Sequence, residues 1–196
     1  RTGVFPVERV IALSGSPVTS PGYLRTRAGA DIATITAGKL DTSGPLRYLN
    51  GDVLAGTITT PENHLGIHHS TLTVIPEGDD REFMGWAMPG FTYFSALRTF
   101  ASSLLPRRQH VLDTRLNGGI RPIVSIGQWE KVFPYDIHLS YLIRAIQAED
   151  VQEAESLGLL ELAEEDVALC AFIDPSKMEI SNLIRHGLNL YEAENL

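Results

Sequence analysis

The sequence predicts an α+β fold, and three observations carry that prediction. Short alternating apolar runs bounded by glycine and proline recur up to Pro76, as strands require. The aromatic stretch that follows is interrupted by Gly85, Pro89 and Gly90. After Pro134 the apolar period changes to three and four residues, the helical period. The expected organisation is a β-grasp (ubiquitin-like) domain over 1–78, a mixed and mostly β region over 79–133 with a hairpin near 117–119, and a C-terminal helical subdomain over 134–196.

In chain order, Arg9 to Gly15 (RVIALSG) is a strand, ended by the turn residues Gly15, Ser16 and Pro17. Tyr23 to Arg27 alternates and gives a second strand. Asp31 then caps a short helix running through Thr36 and stopping at Gly38. Arg47 to Thr59, with Gly51, Leu54 and Ile58, reads as a turn into another strand, and Thr71 to Ile75 as a further one. That succession is what suggests the β-grasp. From Arg81 to Phe133 the signals stay strand-like but broken, with Val111 to Leu116 and Ile123 to Val132 as arms of a hairpin turning at Asn117, Gly118 and Gly119. Pro106 to Gln109 is the most linker-like point of this region. Leu139, Leu142, Ile143 and Ile146 share one helical face. Asp150 with Glu153 resembles a capping box, and Gly158 can close that helix. Asp174-Pro175 signals a last helix, whose stripe is Ile180, Leu183, Ile184, Leu188 and Tyr191.

The 196 residues are 43% hydrophobic, enough to bury a real core. A net charge of −8 argues against nucleic acid, and against an anionic membrane, as a partner held by counterion release. Cys170 is the only cysteine, which excludes an internal disulfide framework and points to a reducing compartment. The longest apolar run, Val167 to Ile173, is far short of the ~20 residues a membrane-spanning helix needs. The chain opens on Arg1 without a signal-peptide pattern and reads as a piece of something longer.

Four features could carry chemistry. His64, His68 and His69, near Glu62, have zinc-ligand types, but adjacent residues of a strand point to opposite faces, so a polar loop is expected. Cys170 could be a nucleophile with His138 or His186, yet a lone Cys in an apolar run packs as a small hydrophobe. The acidic residues Glu161, Glu164, Glu165 and Asp166 suit a solvated helix start. The cluster Phe83, Met84, Trp86, Met88, Phe91 and Phe94 is expected in a core, because large apolar residues are usually buried. Were it exposed, Phe83, Trp86, Met88, Phe91 and Phe94 would be the surface for a partner or a quinone ring. There is no dinucleotide glycine motif, phosphate loop or nucleophile elbow, so no catalytic, cofactor or metal residues are assigned.

Five separated blocks carry a resemblance over nearly the whole chain. They are RVIALSG from Arg9, RTRAGAD from Arg25, VIPEGDDREFMGWAMPGF from Val74, NGGIRPIVSIGQWEKVFPYD from Asn117 and LLELAEEDVALCAFIDPSK from Leu159. In these the chain resembles the C-terminal portion of the A subunits of bacterial sodium-translocating NADH:quinone oxidoreductases. The resemblance implies a peripheral place on the cytoplasmic side of the bacterial inner membrane, in a complex that passes electrons from NADH to ubiquinone and exports sodium. It implies flavins and iron centres in partner subunits and none in this chain. Related cluster-binding subunits place cysteines near their helical end, where this chain has the single Cys170 and where some family members show Cys-Pro in place of Asp174-Pro175.

The expected function is therefore a docking subunit fragment of that redox pump, contributing to assembly and to quinone access. Two others compete with it. A stand-alone β-grasp module would bind a soluble ligand such as a cobamide or a glycan, and a metalloenzyme would use the loop from His64 to His69.

Overall fold

A computed structural model describes Gly3 and residues 7–78, 83–105 and 110–195. The linker-like Pro106 to Gln109 lies outside the described residues, as do Asp79 to Glu82 of the resemblance blocks. The chain divides into two compact units, Arg1–Asn117 and Gly118–Leu196, so the region 79–133 is shared between them.

The first unit is built on a mixed five-stranded sheet: β1 (Glu8–Ser14), β2 (Gly22–Arg27), β3 (Leu46–Asn50), β4 (Thr57–Thr59) and β5 (Thr71–Pro76). Its order is β2-β1-β5-β3-β4. β1 and β5 run parallel, while the other neighbouring pairs are antiparallel. The single helix of the sheet region, α1 (Ile32–Thr36), follows β2. Its start is fixed by Asp31, whose Oδ2 accepts the Thr34 N–H at 3.1 Å and the Thr34 hydroxyl at 3.0 Å. Alternation along β1 sends Ile11 and Leu13 inward, where they meet Ile32 and Ile35 of α1 and Leu72 and Val74 of β5. Val10, on the opposite face of β1, is exposed, as is Tyr23 of β2.

The second unit is helical: α2 (Leu139–Gln147), α3 (Val151–Ser156), α4 (Ala168–Ile173) and α5 (Ile180–Asn195), with 3-10 turns at Trp129–Lys131, Leu159–Glu161 and Glu164–Val167. The expected stripe is the buried one: Leu139, Leu142, Ile143 and Ile146 join Leu159, Ile180 and Ile184 in one core. Asp150 caps α3 by accepting the Glu153 N–H at 3.0 Å, and Gly158 follows that helix with φ +92°. Gly187 lets α5 lie close to α2, since a Cβ there would sit 2.9 Å from Ile146 Cγ1.

Two expectations are corrected. Among the described residues of 79–133 there is no strand, and the turn at 117–119 joins no hairpin. The arms bond elsewhere: Asp113 accepts the Arg115 N–H, Thr114 accepts the Gly78 N–H, and Val124 donates to Ser176 Oγ. Gly127, at φ +67°, breaks the second arm, and a 3-10 turn follows at Trp129. Nor does Asp174-Pro175 open the last helix, which begins at Ile180. Asp174 is fully buried and takes the Trp129 indole N–H at 3.2 Å and the Met178 N–H at 2.9 Å. Lys177, at φ +59°, turns the chain before the helix starts.

Candidate functional site

The aromatic stretch is where the structure departs most from expectation. Phe83, Met84, Trp86, Met88, Phe91 and Phe94 are all exposed rather than buried in a core. The physical reason is that the stretch spends its few inward positions on holding itself together. Gly90 is buried at φ +62°, and a Cβ on it would meet the Phe100 ring at 2.5 Å. Tyr93 and Phe100 meet edge to face with centroids 5.2 Å apart. Ala101 donates to the Pro89 carbonyl at 2.9 Å, and the Ser102 hydroxyl to the Tyr93 carbonyl. Phe94 packs against the His110 ring at 5.6 Å. Short 3-10 turns at Gly85–Ala87 and Ala101–Leu104 complete the fold-back. With these contacts closing the loop, the outer side chains have no second layer to enter. Phe83 is 86% exposed, Trp86 80% and Leu104 88%.

The segments before and after this loop are joined to the sheet at Glu77. The Arg47 guanidinium pairs with its carboxylate, and the Thr114 hydroxyl donates to it at 2.8 Å. Desolvation opposes ionisation of Glu77, but the bonds from Arg47 and Thr114 outweigh it and hold the carboxyl below its ordinary value. Thr114 also accepts the Gly78 N–H at 2.9 Å, which fixes the chain beyond β5. Nothing local in the sequence marks this network, because its members are 30 to 37 residues apart.

Beside the end of β1 lies a recess of about 280 Å³, lined by Ser14, Gly15, Ser16, Val53, Thr73, Ile75, His110 and Leu112. Two of its hydroxyls are already engaged, Ser14 Oγ with Thr73 Oγ1 at 3.1 Å and Thr73 with the Gly51 carbonyl at 2.7 Å. His110 is the one imidazole among these lining residues, and no carboxylate accompanies it there.

The other sequence candidates resolve into packing and capping. His64 pairs through its backbone with Asp31, and the His69 ring sits against Gly51 and Gly66. Among the described residues no group of three or more His, Cys, Asp or Glu is placed to hold a metal ion. Cys170 lies in the core of the second unit with its sulfur 4.0 Å from the Trp129 carbonyl. Burial, aided by the negative charge of Glu130, pushes its thiol from 9.0 up to about 11, so a thiolate is scarce at neutral pH. In the acidic run, Asp166 accepts the Ala163 N–H at 2.8 Å and the Tyr135 hydroxyl at 2.9 Å, while Glu164 pairs with Arg185. It serves as the start of a helical turn. Among the described helices none is long and apolar enough to cross a membrane.

The five-stranded mixed sheet with one short helix in the first unit fits an SLBB domain. Residues 10–60 match the family model described as the NQRA C-terminal domain. The chain is 44% identical over 195 residues to the A subunit of the Na(+)-translocating NADH-quinone reductase of Rhodopirellula baltica. It is 41% identical over 194 residues to the proteins of the same name from Photorhabdus laumondii and Vibrio atlanticus. These alignments cover 98 to 99% of this chain and 43% of each relative. The chain belongs to the family of these A subunits and corresponds to their C-terminal portion.

Proposed function

We propose that this chain works as a peripheral part of the A subunit in a sodium-pumping NADH:quinone reductase, on the cytoplasmic side of the bacterial inner membrane. In this reading it holds no cofactor of its own. It supports assembly with the other subunits, which carry the flavins and iron centres, and contributes to quinone access during electron transfer from NADH to ubiquinone coupled to sodium export. The observation that carries the proposal is the exposed set Phe83, Trp86, Met88, Phe91 and Phe94 on a loop that is itself internally tied. An apolar surface of that kind on an ordered loop is an interaction surface. The sheet order and the parallel β1–β5 pair also support a β-grasp arrangement for the first unit.

The test is made on the intact complex. A photoreactive ubiquinone should label peptides between Phe83 and Leu105, and the protein should co-purify with the flavin-bearing subunits in a way that Phe83→Ser with Trp86→Ser weakens. Normal co-purification of that variant, together with no label in this stretch, would overturn the proposal.

The recess of about 280 Å³ favours a second reading, a stand-alone β-grasp module for a soluble ligand. Its volume falls just below the range of small-molecule sites, roughly 300 to 1,000 Å³. Two of its hydroxyls, Ser14 and Thr73, are already bonded, so the docking reading is the stronger one. Equilibrium binding separates the two, because a ligand held tightly by the isolated chain would support the binding module.

A further inference from the structure

The net charge of −8 is unevenly spread. Arg1–Asn117 carries eleven Lys and Arg against ten Asp and Glu, whereas Gly118–Leu196 carries five against fourteen. The acidic excess that disfavours an anionic surface therefore belongs to the helical unit and not to the sheet-bearing one. Within that first unit, Arg98 is the one charged residue of the described loop from Phe83 to Leu105. This is the same stretch whose Phe83, Trp86, Phe91 and Leu104 stand out from the loop, with Arg98 exposed among them.

We propose that the outer side of the loop at Phe83–Leu105 seats on the anionic phospholipid interface, its aromatic and leucine side chains entering the headgroup boundary and Arg98 pairing with lipid phosphate. This rests on the docking reading above and gives that surface one occupant. Two features point to lipid. Trp, Phe and Leu beside an exposed arginine suit an anionic interface, where apolar burial and phosphate attraction add. The scaffold suits it as well: Gly90, Tyr93 and Phe100 hold the loop together from within, so the outer side chains can enter the interface without unfolding it.

The two tryptophans make the proposal directly measurable, since Trp86 is exposed and Trp129 is 4% exposed in the helical unit. The full chain is titrated with protein-free vesicles of equal parts phosphatidylglycerol and phosphatidylcholine, and with vesicles of phosphatidylcholine alone. The anionic vesicles should shift Trp86 emission to the blue and bind about fivefold more tightly, with the gap closing as salt rises. Trp86→Phe should abolish the shift. Arg98→Glu, and Phe83→Ser combined with Leu104→Ser, should each weaken sedimentation with vesicles while leaving the circular dichroism of the chain unchanged. Equal binding to both vesicle types, or none to either, overturns the lipid assignment. The same titration is made with vesicles that hold the membrane subunits: binding to these alone overturns the lipid assignment while sustaining the docking reading, and binding to no vesicle of any kind removes both.

Discussion

Cys170 and Asp174 are four residues apart, and their neighbours decide what each can do. The Cys170 thiol, raised to about 11, should resist a disulfide reagent in the native protein at neutral pH and react fully once urea unfolds it. Rapid labelling of the folded protein would contradict this. The folded thiol keeps its proton up to about 11, while the unfolded one releases it near 9.0. Its contribution is therefore complete below the lower value and is lost as pH climbs through the upper one, by on the order of 2 kcal/mol. Urea midpoints measured across that window would show it. At Asp174, truncation to Ala leaves the buried Trp129 indole N–H and the Met178 N–H without their acceptor. Asp174→Ala should cost about 2–3 kcal/mol in urea unfolding followed by Trp129 fluorescence, and Asp174→Asn clearly less. The sequence made Cys170 legible as a packed residue, because an apolar run surrounds it. It misled at Asp174, because an Asp-Pro pair looks the same whether its carboxylate caps a helix or accepts from an indole 45 residues away.

Among the elements, strands and helices with a strong period were readable and the broken middle was not. β1, β2, α1 and β5 lie where alternation and capping residues put them, since each is specified by neighbours in sequence. Gly15 shows how tight the join between β1 and β5 is. It adopts φ +120°, and a Cβ there would fall 1.7 Å from the Val74 carbonyl oxygen. Gly15→Ala should therefore cost about 3 kcal/mol or more, seen as an early loss of sheet signal in denaturant, and a wild-type midpoint would refute that packing. The failed hairpin has the opposite cause. Val111 to Leu116 and Ile123 to Val132 have the composition of strands, but their backbone and side-chain groups find partners at Gly78, Glu77 and Ser176. Those partners are invisible to a local pattern.

At the scale of the whole molecule, the uneven charge is itself testable. With five basic against fourteen acidic residues, Gly118–Leu196 should be strained by self-repulsion at low ionic strength. Raising NaCl from about 0.01 M to about 0.3 M should raise the thermal midpoint reported by Trp129. A fall would mean that ion pairs such as Arg185 with Glu164 outweigh the repulsion. By itself the sequence determined the coarse α+β class, the helical face of α2, the burial of the lone cysteine and, through the resemblance of its blocks, the family. All of these are set by periodicity, composition or order along the chain. Only the tertiary structure decided that the aromatic stretch is exposed. Gly90, Tyr93 and Phe100 use up its inward positions, and Phe83, Trp86 and Leu104 are left facing out. Composition counts apolar side chains, whereas burial depends on whether a second layer of the protein is there to receive them.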